Sequence, residues 1–306
     1  MLAGMQTLSE IRALLAEAQL APRRRLGQNF LIDANLMGKL VALADPSPGQ
    51  TVLEVGAGTG SLSEALLARC APDGRVVAVE ADAGLGRLLR RRLGERANLT
   101  LICGDALAGK HAIAPDVLAA AGPEAVLVAN LPYSIATPLL AEALATTWHT
   151  DHGSAATPCA LRCLTVTVQQ EVADRLTAAA GVGAYGPVSV LVSLLGGGTI
   201  GPAVPPEAFW PRPKVASRML RIDYDARAAG RIDALDALRR LLTAAFAQRR
   251  KRIGSLPRRC AATLEPAAVA AALDAGGIDP DARPQAVPPE HYRRAANALV
   301  RCDLGR

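Results

Sequence analysis

Apolar and polar positions fall into two regimes along the chain. Up to residue 224, short apolar runs alternate with segments of helical spacing, whereas beyond Asp225 only helical spacing remains. The clearest unit is residues 51–63. Val52, Leu53 and Val55 read as a buried strand, Gly56, Gly58 and Gly60 as a sharp turn, and Ser61 to Arg69 as a helix. Residues 75–80, 99–105 and 125–130 are further strand-length apolar runs, so the first part of the chain repeats strand, turn and helix. That repetition predicts an α/β fold, a Rossmann-like doubly wound sheet, followed by a small all-helical domain at the C-terminus.

The remaining elements follow from the same patterns. Residues 7–21 are amphipathic, with Thr7 and Glu10 spaced as a capping box ahead of Ile11, Leu14, Leu15 and Ala18, and Pro22 closing the helix. Asn29, Phe30 and Leu31 form either a lid over a ligand or the approach to a helix capped by Asp33. Residues 137–147 predict a helix, 148–159 a loop and 164–168 a strand, while 188–195 fit a strand or a buried helix equally. Residues 205–217 are a proline-punctuated loop entering a strand at 219–224. Helices are expected at 232–247, 266–275 and 290–301. The expected division is an N-terminal helical extension (1–22), a sheet domain (23–225) and a helical domain (226–306).

Composition narrows the class. The chain is 50% apolar, enough for a packed core, yet no apolar run approaches the roughly 18 residues of a membrane helix, and the N-terminus lacks a signal-peptide core. A cytoplasmic protein with no membrane partner is expected. Six dispersed cysteines suggest reduced thiols. His149, His152, Cys159 and Cys163 are irregularly spaced and Cys163 opens a strand, so no metal site is expected. The net charge of +6 is uneven: eight Arg or Lys and no acid lie between Arg239 and Arg259. Such a concentration suits a polyanionic partner.

The glycine turn points to a ligand. A dinucleotide fingerprint would carry a third glycine where Ser63 stands, and Glu54 precedes the turn. A carboxylate there repels a pyrophosphate but suits a cationic or amine-bearing ligand, which favours S-adenosylmethionine over NAD. Glu80, about 20 residues past the turn, is placed to accept bonds from ribose hydroxyls. Asp105, at the end of the third strand, is placed to read an adenine amino group. Gly56, Glu80, Asp105 and Asn130 therefore belong to one sheet edge.

Asn130, Leu131, Pro132 and Tyr133 suit a reacting centre. An exocyclic adenine amine is a poor nucleophile because its lone pair is delocalised into the ring. The Asn130 side-chain carbonyl and the Leu131 or Pro132 backbone carbonyl can accept its two hydrogens, and Tyr133 can stack on the base. Phe209 and Trp210, beside Arg212 and Lys214, suit a pocket for an unpaired base and its phosphates.

Several segments together resemble the ribosomal RNA adenine dimethyltransferase family. They are Arg-Leu-Gly-Gln-Asn-Phe-Leu (25–31), Glu-Val-Gly-Ala-Gly-Thr-Gly (54–60), Gly-Asp-Ala (104–106), Asn-Leu-Pro-Tyr (130–133), Gln-Glu-Val (170–172), Ala-Tyr-Gly (184–186), Phe-Trp-Pro-Arg-Pro-Lys-Val-Ala-Ser (209–217) and Phe-Ala-Gln-Arg-Arg-Lys (246–251). The resemblance runs from Arg23 onward and is nearest to the bacterial small-subunit branch. It implies a class I methyltransferase fold and a monomer that uses S-adenosylmethionine to dimethylate N6 of two adjacent adenosines in the 3′-terminal hairpin loop of 16S rRNA, with a role in small-subunit maturation. It places Asn29, Leu31, Gly56, Glu80, Asp105 and Asn130 at cofactor positions, joined by Gly58 of the turn. Tyr133 and Phe209 fall on base-stacking positions. Arg23, Arg24, Arg25, Arg212, Lys214, Arg249, Arg250 and Lys251 become candidate RNA contacts. Residues 1–22 and the 148–159 loop depart from the family pattern.

Three rival readings remain. In the antibiotic-resistance branch, which methylates a 23S rRNA adenine, isoleucine is usual where Leu131 stands. A non-catalytic assembly or transcription factor of the same fold would not need the intact Asn-Leu-Pro-Tyr and turn glycines. A DNA adenine methyltransferase would need a sequence-reading element, and none is recognisable.

Overall fold

The computed structural model describes residues 5–23, 26–109, 112–132, 134–260 and 265–304. In chain order the elements are α1 (Leu8–Glu17), β1 (Phe30–Leu31), α2 (Ala34–Ala44), β2 (Thr51–Val55), α3 (Ser61–Cys70), β3 (Arg75–Glu80), α4 (Ala83–Leu93), β4 (Leu99–Cys103), α5 (Pro115–Ala121), β5 (Glu124–Asn130), α6 (Ala136–Asp151), β6 (Ala160–Gln169), α7 (Gln170–Leu176) and α8 (Pro187–Leu195). There follow β7 (Gly196–Val204), β8 (Phe209–Trp210), β9 (Ser217–Tyr224), α9 (Ala226–Ala229), α10 (Leu235–Phe246), α11 (Leu256–Arg259), α12 (Pro266–Ala275) and α13 (Pro289–Leu304).

Among the described residues, seven strands form one sheet in the order β4-β3-β2-β5-β6-β9-β7, and β1 pairs with β8 separately. β2 to β6 are mutually parallel and β9 joins antiparallel to β6. The central strands are continuous apolar runs because helices cover both faces: Val52, Leu53, Val76, Val77, Leu127 and Val128 are fully buried. Parallel strands joined by helices bring all their carboxyl ends to one edge. That edge carries Gly56, Glu80, Asp105 and Asn130.

The chain divides into two compact units, and the division corrects the expected one. The first comprises Met1–Ala173 and Thr199–Asp223, the second Asp174–Gly198 and Tyr224–Arg306. Residues 174–198 fall within the expected sheet domain, 23–225. They join the C-terminal helices because α8 packs its apolar run there: Tyr185 and Tyr292 are buried and each meets the Phe246 ring, at centroid distances of 6.0 and 5.9 Å. The described part of the expected 1–22 extension, residues 5–22, is likewise not separate. α1, opened by the capping box of Thr7 and Glu10, buries Ile11 and Leu15 within the first unit, worth about 1.5–3 kcal/mol for each side chain.

Two local expectations also change. The ambiguous run 188–195 is helix α8, opened by Pro187 at its first position. The loop expected to begin at Trp148 begins later, because α6 continues to Asp151 with Trp148 buried. Its end is tied by His152, which stacks on Trp148 at 4.0 Å, and His149 bonds Ser154. Among the described residues no His, Cys, Asp and Glu side chains gather into a group able to hold a metal ion, and no helix is long and apolar enough to cross a membrane.

Candidate active site

β2 ends in a turn that only glycine adopts freely. Gly56, Gly58 and Gly60 have φ of 80, 61 and 88°, and a Cβ on Gly58 would stand 3.2 Å from the Phe30 ring. The N–H groups of Gly56 and Ala57 both bond the Val79 carbonyl, pinning the turn to β3. Glu80, the last residue of β3, completes the attachment. Its Oε2 accepts the Gly58 N–H and its Oε1 the Asp82 N–H, each at 2.8 Å. Burial raises the Glu80 pKa against the pull of these bonds. Each carboxylate oxygen keeps a further lone pair for a ligand hydroxyl.

Glu54 sits behind the turn. It is 1% exposed, its Oε2 accepts the Ser63 hydroxyl at 2.5 Å, and its Oε1 is buried without a partner. Burial pushes its pKa up to about 8, with the Ser63 bond opposing and the Glu80 charge adding. The Ser61 hydroxyl at the start of α3 is a second buried, unpartnered group.

Residues 27–31 cross the open side of the turn as a strap. Phe30 and Leu31 pair with Trp210 and Phe209, and Phe30 stacks on Trp210. Asp33 then caps α2 through the Leu36 N–H, as expected of a segment leading into a capped helix. Asn29 closes on the Gly27 carbonyl at 3.0 Å. Its own carbonyl accepts Nδ2 of Asn130, also at 3.0 Å. At the end of β5 the Leu131 N–H bonds Thr167 and the Pro132 carbonyl accepts the Ile135 N–H.

These elements enclose a cavity of about 180 Å³. Its lining brings together the expected cofactor positions Asn29, Leu31, Gly56, Gly58, Glu80, Asp105 and Asn130. The expected reacting positions Leu131, Pro132 and Phe209 line it as well, whereas Tyr133 lies outside the described residues. Asp105 is exposed and accepts the Leu107 N–H through Oδ1. Phe209 is only 4% exposed and packs into the core, so it forms wall more than surface. The pattern did not single out Gln28 and Ser61, both also in the lining. Ser61 was legible as the first helical residue after the last turn glycine. Gln28, which bonds the Arg23 N–H and Asp82, carried no periodic signal.

A family profile described as ribosomal RNA adenine dimethylase matches residues 20–300. The chain belongs to this family. Among relatives named ribosomal RNA small subunit methyltransferase A, that of Phenylobacterium zucineum is 37% identical over 297 residues, covering 97% of this chain and 95% of its own. That of Moorella thermoacetica is 35% identical, with coverage of 94% and 96%. The ribosomal RNA adenine dimethylase fold recurs in solved structures. A dimethyladenosine transferase from Plasmodium falciparum superposes with a TM-score of 0.63 at 19% identity, covering 86% of this chain and 94% of that one. A 23S rRNA methyltransferase, ErmE, gives 0.57 at 22%, covering 89% and 100%. These likenesses bear on the fold alone, a Rossmann-like class I methyltransferase.

The basic candidates of this dimethylase differ in their surroundings. In the first unit Arg23 pairs at 3.1 Å with Asp82, which caps α4, and Arg212 pairs with Glu207. Both cations are thus engaged within the protein. Lys214 is exposed, and Arg24 and Arg25 lie outside the described residues. In the second unit Arg249, Arg250 and Lys251 are exposed in the turn that follows α10, not on the helix itself.

Proposed function

We propose that this enzyme transfers methyl groups from S-adenosylmethionine to N6 of two adjacent adenosines in the 3′-terminal hairpin loop of 16S rRNA, during maturation of the small ribosomal subunit. The observation that carries the reading is the Asn130 bond to Asn29. A backbone carbonyl can only accept, so Nδ2 must face it, and the Asn130 amide then offers Oδ1 as an acceptor in the cavity. Beside it the Leu131 carbonyl is the better second acceptor, since that of Pro132 already takes the Ile135 N–H. Two acceptors directed at an adenine amine hold both its hydrogens and turn its lone pair out of conjugation, toward the incoming carbon.

The cavity suits the cofactor. Glu54 Oε1 is buried without a partner, so an ammonium group would displace the carboxyl proton that burial retains and pair with the carboxylate, and Gly56 and Gly58 present backbone where a side chain would fill the space. Glu80 would hold the ribose hydroxyls and Asp105 the adenine amino group. When bound, the cofactor supplies an electrophilic methyl group. The leucine at 131, the intact glycine turn and relatives named for the small subunit favour 16S rRNA over the 23S and non-catalytic alternatives. The second unit, with its exposed Arg249, Arg250 and Lys251, would contribute rRNA binding, and the protein would act in the cytoplasm as a monomer on the assembling subunit.

Labelled methyl transfer to small subunits, large subunits and naked DNA, followed by digestion to nucleosides, tests the reading. Dimethyladenosine confined to small-subunit RNA is expected. Label in large-subunit RNA or DNA, or none anywhere, would overturn it.

A further inference from the structure

The first unit contains contacts that the proposed chemistry does not use. Gln6, just ahead of α1, is 5% exposed and donates from Nε2 to the Thr59 carbonyl at 3.0 Å, while its Oε1 is buried without a partner. Thr59 stands between the left-handed Gly58 and Gly60, and Arg92 donates to the same carbonyl. Two side chains from outside therefore hold the turn whose inner side lines the cavity. Behind Gln6, α1 packs Ile11 and Leu15 with Leu85, Leu88 and Phe30, and Arg12 lies 5.2 Å over the Trp210 ring. The strap and its partner strand are thereby gripped as well. A buried amide with an unpaired oxygen costs stability that an apolar side chain would not, so the part of Gln6 with work to do is the donor half that holds Thr59.

We propose that residues 6–20 are a positioning device for the cofactor site, with Gln6 as its positioning residue. They fix the glycine turn and the strap in the geometry that takes S-adenosylmethionine, and this rests on the reading of the cavity as that cofactor's site. A turn left mobile must be ordered at each binding event, which lowers affinity. Once the cofactor is bound the ordering is complete, and the methyl transfer itself is unaffected.

Gln6→Met in the full-length protein removes the bond and the orphaned oxygen at nearly constant volume. Three measurements decide: exchange of the Gly60 amide, which bonds Ala57, in cofactor-free protein; calorimetric affinity for S-adenosylmethionine; and steady-state kinetics on small subunits, giving kcat and the cofactor KM. The expected result is that Gly60 exchange, Kd and cofactor KM each rise roughly tenfold, the equivalent of one buried hydrogen bond, with kcat and the melting temperature nearly unchanged. Unchanged Gly60 exchange and Kd would overturn the proposal. So would faster exchange spread over the whole first unit, the mark of a merely structural role. Wild-type protein without affinity for S-adenosylmethionine would overturn the cavity reading instead, and Gly60 exchange would still decide whether Gln6 holds the turn.

Discussion

Asn130 and Glu54 lie on adjacent strands, and each has one polar atom held by the protein and one left for other work. For Asn130 the held atom is the donor, so the acceptor is what truncation removes. Asn130→Ala is expected to lower turnover by roughly 10²–10³, the usual cost of one preorganised polar contact to the transition state, and to leave RNA affinity nearly intact. Retained turnover in a single-turnover assay would remove the role. For Glu54 the argument concerns protons. Its pKa rises from 4.5 to about 8 in the fold, chiefly through burial, so the folded state keeps a proton that the unfolded chain has lost between those values. Stability is then present in full below 4.5 and falls as pH rises toward 8, the reverse of the common carboxylate case. Glu54→Gln should flatten that fall, read as the urea midpoint across the same range; a slope equal to wild type would show that Glu54 is ionised in the fold. The residue types of this site were legible because each closes a strand at one sheet edge. Their pairings, Asn130 with Asn29 above all, were not, since the partners are separated by a hundred residues of chain and no pattern encodes the distance.

At the scale of elements, Asp82 joins a helix to the strap. Its Oδ1 caps α4 by accepting from Gly84 and Leu85, and its other oxygen takes Gln28 and the Arg23 guanidinium. Asp82→Asn keeps an oxygen for the cap, whereas Asp82→Ala loses both functions. The alanine variant should cost about 1–2 kcal/mol more than the asparagine variant by denaturant titration at unchanged m value. Equal losses would mean that the ion pair outweighs the cap. Elements with such local signals were readable in the sequence. Thr7 and Glu10 announced α1, and the apolar β-branched runs announced the central strands. β7 was missed because it lies at the sheet edge, where Gly196–Val204 needs few buried side chains and tolerates Pro202. The run 188–195 stayed ambiguous because a short, wholly apolar segment satisfies either period. Only its tertiary surroundings, among the C-terminal helices, select the helix and draw residues 174–198 out of the sheet unit.

For the whole molecule, the net charge of +6 and the division of labour between units lead to one further expectation. Every residue lining the cavity belongs to the first unit, while the exposed turn at Arg249, Arg250 and Lys251 belongs to the second. Binding of a small cofactor and binding of a polyanion should therefore separate under mutation. Each cation that neutralises a phosphate releases a condensed counterion, so RNA affinity falls with salt in proportion to the number of such contacts. Replacing all three with Gln should weaken binding of small-subunit RNA and reduce the slope of log affinity against log salt by about 2, with cofactor affinity unchanged. Filter binding across a salt series, paired with calorimetry on the cofactor, measures both. A salt slope equal to wild type would place the RNA contacts elsewhere, and a parallel loss of cofactor affinity would show that the substitutions disturb the fold instead of the interface.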